Sequence, residues 1–204
     1  MREQGHAIKI DPERRERPIL DAASRLSLVK GSQSISIGAV AQELEVAPSV
    51  VYACFDSRDE LMSALLTREM QIILENMESA LTARNDSYSP RQLLVNGFRG
   101  LLKAVARHAD SWNIVLDAAS DPSRSGDVDS VRNHIAARIG SCLRPMLVSF
   151  EVKEIERKLP QIVSFLMSMS EGAVRSMLRH EHDWTPDELG SFFGNTVFYF
   201  IKKI

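Results

Sequence analysis

Ser36-Ile37-Gly38-Ala39-Val40-Ala41-Gln42-Glu43-Leu44-Glu45-Val46-Ala47-Pro48-Ser49-Val50-Val51-Tyr52-Ala53-Cys54-Phe55-Asp56-Ser57-Arg58-Asp59-Glu60-Leu61 is the stretch on which the fold turns. Ile37, Val40, Ala41 and Leu44 recur at helical spacing, and Ser36 before them can accept a backbone N–H, which predicts a helix over 37–44. Glu45, Val46 and Ala47 form a turn with Val46 as its apolar plug. Pro48 suits the first position of a second helix, where a missing N–H costs nothing; that helix runs to about Phe55. Val46, Val51 and Phe55 face a core, while Pro48, Ser49, Val50, Ala53 and Cys54 project outward with small side chains. Such a face can enter a DNA major groove, about 12 Å wide. A plain helical hairpin would show the same pattern, so the flanks must separate the two.

Upstream, Ile19, Leu20, Ala22, Ala23 and Leu26 make a stripe at helical spacing, with Pro18 near its first turn and Gly31 as the stop beyond its end. Downstream, Ser57-Arg58-Asp59-Glu60 reads as a capping box, in which serine and glutamate satisfy each other's backbone donors. Three helices with these gaps make a compact DNA-binding unit. Arg14, Arg15 and Arg17 precede it as an arm that can reach phosphates or a minor groove, or that stays a solvated tail.

From Ile19 to Leu61 the chain resembles the TetR family of bacterial repressors. The resemblance is carried by Ile19-Leu20-Asp21-Ala22-Ala23, Lys30-Gly31, Ser36-Ile37, Val40-Ala41, Val46, Tyr52, Phe55 and Arg58-Asp59-Glu60-Leu61. It departs at Glu45 and Ser49, where the family carries glycine, at Ala47, where it carries a small polar residue, and at Ser27, where it carries an aromatic. The resemblance implies that Tyr52 and Ser36 donate hydroxyls to phosphates and that Arg58 binds an anion at a helix start. It also implies that Ala47, Pro48, Ser49, Val50, Ala53 and Cys54 lie nearest the base edges, chiefly against thymine methyls. The residues alone leave Tyr52 open as a packing tyrosine and Cys54 as a small packing residue.

Charge qualifies this reading. Residues 1–56 hold seven basic side chains (Arg2, Lys9, Arg14, Arg15, Arg17, Arg25, Lys30) against eight acidic ones (Glu3, Asp11, Glu13, Glu16, Asp21, Glu43, Glu45, Asp56). Affinity for DNA then rests on a local cluster plus dimerisation, with a shallow salt dependence. A chain of 204 residues, 44% hydrophobic and 25% charged, can bury one small and one larger core, and a net charge of -2 argues against a protein that coats polyanions. The first residues lack the apolar run of a signal peptide and no stretch could span a bilayer, so a cytoplasmic protein without membrane contact is expected. Cys54 and Cys142 are too few for a disulfide framework or zinc site, and neither metal nor cofactor is expected.

Beyond Ser57 the breaks at 87–90, 121–126 and 180–186 leave helices near 58–84, 90–107, 111–119, 127–149, 151–181 with a possible kink at Pro160, and 186–203. The fold expected is all-α: an amino-terminal three-helix helix-turn-helix domain with its arm over 1–56, and a larger helical ligand-binding and dimerisation domain over 57–204. The last two helices are apolar on more than one face. Ile162, Met177, Leu189, Phe193, Val197 and Phe200 are candidates for a contact with a second subunit, and Gly190 and Gly194 would admit another helix closely. The resemblance implies the same dimer, built from the last two helices of each subunit. Phe98, Leu101, Leu102, Val105, Trp112, Leu116, Phe165 and Met169, with His108 as a polar handle, could line a cavity or form solid core.

By resemblance, an unidentified, largely apolar effector in that cavity would shift the helix from Ser57 to Ala83 and release a palindromic double-stranded operator. The expected function is a ligand-responsive dimeric transcriptional regulator, a repressor rather than an enzyme. Two other readings stay open: a helical enzyme or metal-binding protein using His180-Glu181-His182-Asp183, and an interaction protein that keeps the fold without binding an operator, for which Glu45 is the motive.

Overall fold

The computed structural model describes residues 12–82, 88–179 and 183–204, with the side chains of 12–15 and 80–82 left aside. Among the described residues every regular element is helical. The first elements are α1 (Pro12–Lys30), a 3₁₀ turn (Ser32–Ser34), α2 (Ile37–Glu43), α3 (Pro48–Tyr52) and α4 (Arg58–Thr82). They are followed by α5 (Pro90–Arg107), α6 (Ala109–Ala119), α7 (Ser125–Ser149), α8 (Ile155–Leu178) and α9 (Pro186–Lys202). The chain divides into two compact units within α4, Met1–Arg68 and Glu69–Ile204, because the first turns of that helix bury Leu61, Leu65 and Leu66 with the amino-terminal helices.

In the first unit Ile19, Ala22, Ala23 and Leu26 of α1, Val40 and Ala41 of α2 and Val51 of α3 are all buried, with α2 packed against both α1 and α3. Each fully buried Ile, Leu or Val there contributes about 1.5–3 kcal/mol of transfer free energy. α1 begins at Pro12, so Pro18 lies inside it rather than in its first turn and forfeits one backbone bond. Arg14, Arg15 and Arg17 therefore sit on helical backbone and not on an extended arm. At the other end, Gly31 (φ 82°) donates its N–H to Ser27 O at 2.8 Å and stops the helix as expected.

α2 ends in a Schellman motif: Glu45 N–H donates to Gln42 O at 3.1 Å and Val46 N–H to Ala41 O at 3.0 Å. Glu45 occupies the left-handed position, φ 56°, that glycine fills without strain. The same device closes α7, where Glu151 (φ 53°) donates to Val148 O and Val152 to Leu147 O. That turn, together with Glu154 at φ 56°, delays α8 to Ile155 instead of 151; Pro160 lies inside α8. Glu45→Gly is expected to stabilise the first unit by about 1 kcal/mol, seen as slower hydrogen exchange of the α2 amides, whereas Glu45→Ala gains nothing.

The cap of α4 differs from the expected box in one arm. Ser57 Oγ accepts from Glu60 N–H at 3.1 Å, but the Glu60 carboxylate accepts from Asp56 N–H at 2.6 Å. Reciprocal capping boxes do form at Ser89–Gln92 and Thr185–Glu188, and each opens a helix on a proline. The Thr185 backbone N–H, then its hydroxyl, hold the Glu188 carboxyl below its ordinary pKa.

In the second unit α5 lies against α9 at backbone contact. A Cβ on Gly194 would come within 2.5 Å of Val95 Cα, and one on Gly190 within 2.7 Å of Arg99 Cα. Leu102, Ala173 and Leu189 pack together, with Met177 and Phe193 beside them. Phe98 and Phe193 stack at 5.9 Å.

Candidate nucleic-acid interface and effector cavity

α3 is short, yet it divides its faces sharply. Val51 and, just after it, Phe55 are buried, while Ala47, Pro48, Ser49 and Ala53 are exposed and Val50 and Tyr52 are 50% and 53% exposed. Cys54 is half-buried. Val46 does not plug the core as expected. As the residue after the Schellman turn it is 37% exposed, because the turn directs its N–H rather than its side chain back to α2.

The Tyr52 hydroxyl has no hydrogen-bond partner among the described residues, which leaves it able to donate. Ser36 caps α2, its oxygen accepting from Ala39 N–H at 3.1 Å, so its own hydrogen remains available outward. Arg58 is engaged inward: Nε donates to Ile35 O at 2.7 Å and Nη2 to Ser32 O at 3.3 Å. Its guanidinium thereby ties the start of α4 to the link between α1 and α2, a role different from the phosphate contact that the resemblance implies. Arg68 meets Asp21 at 2.7 Å, and Arg25 meets Glu43 at 3.3 Å across exposed surface. Arg17 is exposed. Among the described side chains the face around α3 is therefore mainly neutral, with hydroxyls and small apolar groups rather than a dense cationic patch.

The second unit contains a cavity of about 190 Å³ walled by α4, α5, α7 and α8. Of the nine residues expected there, Phe98 and Leu101 are in the wall. Leu102 and Val105 are solid core with no exposed surface, and Phe165 is 42% exposed on the outer face, its ring 4.6 Å from that of Phe200. His108 sits half-buried at the junction of α5 and α6. Trp112, Leu116 and Met169 are half-buried away from the wall; the Trp112 indole N–H is buried with no acceptor among the described residues. The wall residues missed by sequence reasoning include Met77, Gly97, Cys142, Met146 and Ser170, which share no single helical stripe.

Beside Met77, Glu78 receives both Nε (2.9 Å) and Nη2 (3.0 Å) of Arg138, and His134 Nε2 lies 3.4 Å away. The Arg138 hydrogen bonds, with its charge and His134 adding, outweigh burial and hold the Glu78 carboxyl below its ordinary pKa. A depressed folded-state pKa adds stability that is present above the unfolded value and lost as pH falls through the folded one. Glu78→Gln should therefore cost modest stability at neutral pH, the groups being largely exposed. In thermal melts the gap to the wild type should close as acid protonates Glu78.

Of the six residues expected at a subunit contact, Ile162, Leu189 and Val197 are buried within their own unit, and Met177 and Phe193 are partly so. Gly190 and Gly194 receive α5 of the same chain, not a partner. Phe200 is exposed, and with it on the outer side of α8 and α9 lie Phe165, Phe192 and Tyr199. The His180-Glu181-His182 run lies outside the described residues. Among the described residues no three His, Cys, Asp or Glu side chains could share a metal ion, and no helix is long and apolar enough to cross a membrane.

Residues 19–65 match the sequence profile described as "Bacterial regulatory proteins, tetR family". No curated protein matches the chain significantly. Solved structures do. A TetR-like transcriptional regulator from Rhodococcus sp. RHA1 is 23% identical with a TM-score of 0.72, covering 90% of this chain and 93% of that one. The TetR family transcriptional regulator PfmR from Thermus thermophilus is 16% identical with a TM-score of 0.70, covering 89% and 97%. A TerR/AcrR family transcriptional regulator from Aquifex aeolicus is 17% identical with a TM-score of 0.63, covering 91% and 99%. With the buried and exposed faces of α2 and α3 described above, these matches make residues 19–65 a TetR-family helix-turn-helix domain, in a chain that has the fold of TetR-like transcriptional regulators over most of its length.

Proposed function

We propose that the protein is a dimeric transcriptional repressor whose paired α3 helices read a palindromic operator, and which a small molecule in the second unit releases. The observation that carries this reading is the exposed face of α3. Ala47, Pro48, Ser49, Val50 and Ala53 present no bulky or charged group, while Val51 and Phe55 anchor the helix from behind. Small apolar groups fit against thymine methyls, and Ser49 can serve either as donor or as acceptor. Tyr52 and Ser36 would fix the register on phosphates, and Arg58 would hold α4 in place for them.

The subunit contact would use the outer faces of α8 and α9, where Phe165, Phe192, Tyr199 and Phe200 leave aromatic surface in water. A two-fold pair of readers addresses half-sites about 34 Å apart, one helical turn. Release follows from the continuity of α4, which carries Leu61 and Leu65 in the first unit and Met77 in the cavity wall of the second. A molecule that binds one position of Met77 better than another shifts that helix by its differential affinity, typically worth about 1–3 kcal/mol.

Selection from a pool of random double-stranded DNA, with the bound species sized by analytical ultracentrifugation, tests the reading. Enrichment of an inverted repeat bound by an even number of chains is expected. The log of affinity should fall by about 0.9 per log unit of salt for each phosphate neutralised, and few phosphates should be involved. Enrichment of nothing above the starting pool would overturn it.

A further inference from the structure

We infer that the effector of this chain is an uncharged, mainly apolar molecule with at least one ring, bearing a hydroxyl or carbonyl that Ser170 or Asn96 can meet. This rests on the reading of the second unit as a ligand-responsive domain and gives that ligand a chemistry.

The first ground is the wall. Met77 of α4, Gly97 and Leu101 of α5, Cys142 and Met146 of α7 and Ser170 of α8 come from four helices, and among the described residues neither they nor the remaining lining residues include an Asp, Glu, Lys, Arg or His. An ionised ligand would surrender its hydration there and receive no counter-charge. The cation one turn before Cys142, Arg138, is already paired through two nitrogens with Glu78. Among the described residues the polar partners are Tyr88, Asn96 and Ser170, enough for one or two neutral hydrogen bonds. Methionines and a thiol make the rest of the surface soft and adaptable.

The second ground is room. An apolar cavity of about 150 Å³ holds benzene, so about 190 Å³ in a pocket that opens to solvent beside Tyr88 and Asn96 holds at least one ring. The third is Gly97. A Cβ built there meets nothing within 4 Å, although the residue lies within α5, where glycine costs stability relative to alanine. The missing side chain leaves room that the wall makes available, and a larger residue at 97 would take it.

The test uses the full chain labelled with carbon-13 at the methionine methyls and no DNA. p-Cresol is compared with 4-methylbenzoate and 4-methylbenzylamine, which have the same ring but carry charge at neutral pH. p-Cresol should shift the Met77 and Met146 methyl resonances and raise the melting temperature, and the two charged probes should do neither at equal concentration. Gly97→Leu should melt at or above the wild-type temperature and lose the p-cresol response. Equal shifts from a charged probe, still Met77 and Met146 methyls with p-cresol, or an undiminished response in folded Gly97→Leu would each overturn the inference. The comparison of charges on the wild type stands alone if that variant misfolds. Because the readout omits DNA, its failure leaves operator binding untouched, and failure to bind DNA leaves these shifts interpretable.

Discussion

Gly194→Ala should destabilise the second unit by about 1–3 kcal/mol, the usual cost of overpacking, and the Gly190→Ala, Gly194→Ala double variant should lose the unit's cooperative unfolding. The added methyl at 194 would sit 2.5 Å from Val95 Cα and 2.8 Å from Val95 N, and the one at 190 within 2.7 Å of Arg99 backbone. Backbone atoms cannot rotate aside as a side-chain tip can, so α5 and α9 must part. The Phe98–Phe193 stack and the Leu102–Leu189 contact part with them. Both tryptophans of the chain, Trp112 and Trp184, belong to this unit, so urea unfolding followed by their fluorescence reports it selectively. Gly172→Ala on α8 is the control. Nothing lies within 4 Å of its added methyl, and the change should be neutral or stabilising. Equal behaviour of Gly172→Ala and Gly194→Ala would contradict the contact between α5 and α9.

Val50→Glu should remove operator binding while leaving the fold intact. Val50 is 50% exposed, so a glutamate there costs the core little, but on the proposed reading it places a carboxylate among base edges and near phosphates. A wrong contact at a base edge typically costs about 1–3 kcal/mol, and a dimer would carry it twice. Val148→Glu adds the same charge at a site 60% exposed on α7 and should leave DNA affinity unchanged. If the two variants weakened binding equally, net charge rather than the α3 face would be the cause.

Much of the architecture was legible because the chain is punctuated chemically. Ser89-Pro90 and Thr185-Pro186 mark helix starts by capping and by proline, and α5 and α9 begin there. α5 occupies the expected 90–107, and α2 with its cap residue Leu44 the expected 37–44. Periodicity identifies an apolar face without identifying what covers it. Gly190 and Gly194 did announce a close helix, but that helix was α5 of the same chain, and Leu189 and Val197 turned inward with it. The wall of a cavity and the body of a core are made of the same residues, which is why Leu102 and Val105 could not be told from Phe98 and Leu101. Arg58 illustrates a third limit: its acceptor on Ile35 lies 23 residues away, beyond any local spacing rule. Glu45 went the other way. It departs from the family's glycine and is the motive for a fold without operator binding, and the structure shows a backbone position at φ 56° where glycine is favoured for its freedom.

Reading of DNA by the face of α3 is tested by fluorescence anisotropy of a labelled duplex, taken from the DNA upstream of the coding region or from the selection above, titrated with wild type, Val50→Glu and Tyr52→Phe. Saturable binding by the wild type at dimer stoichiometry is expected, with weaker binding by Tyr52→Phe across all sequences alike and none by folded Val50→Glu. Unchanged affinity of folded Val50→Glu for the same duplex would rule out α3 as the reader.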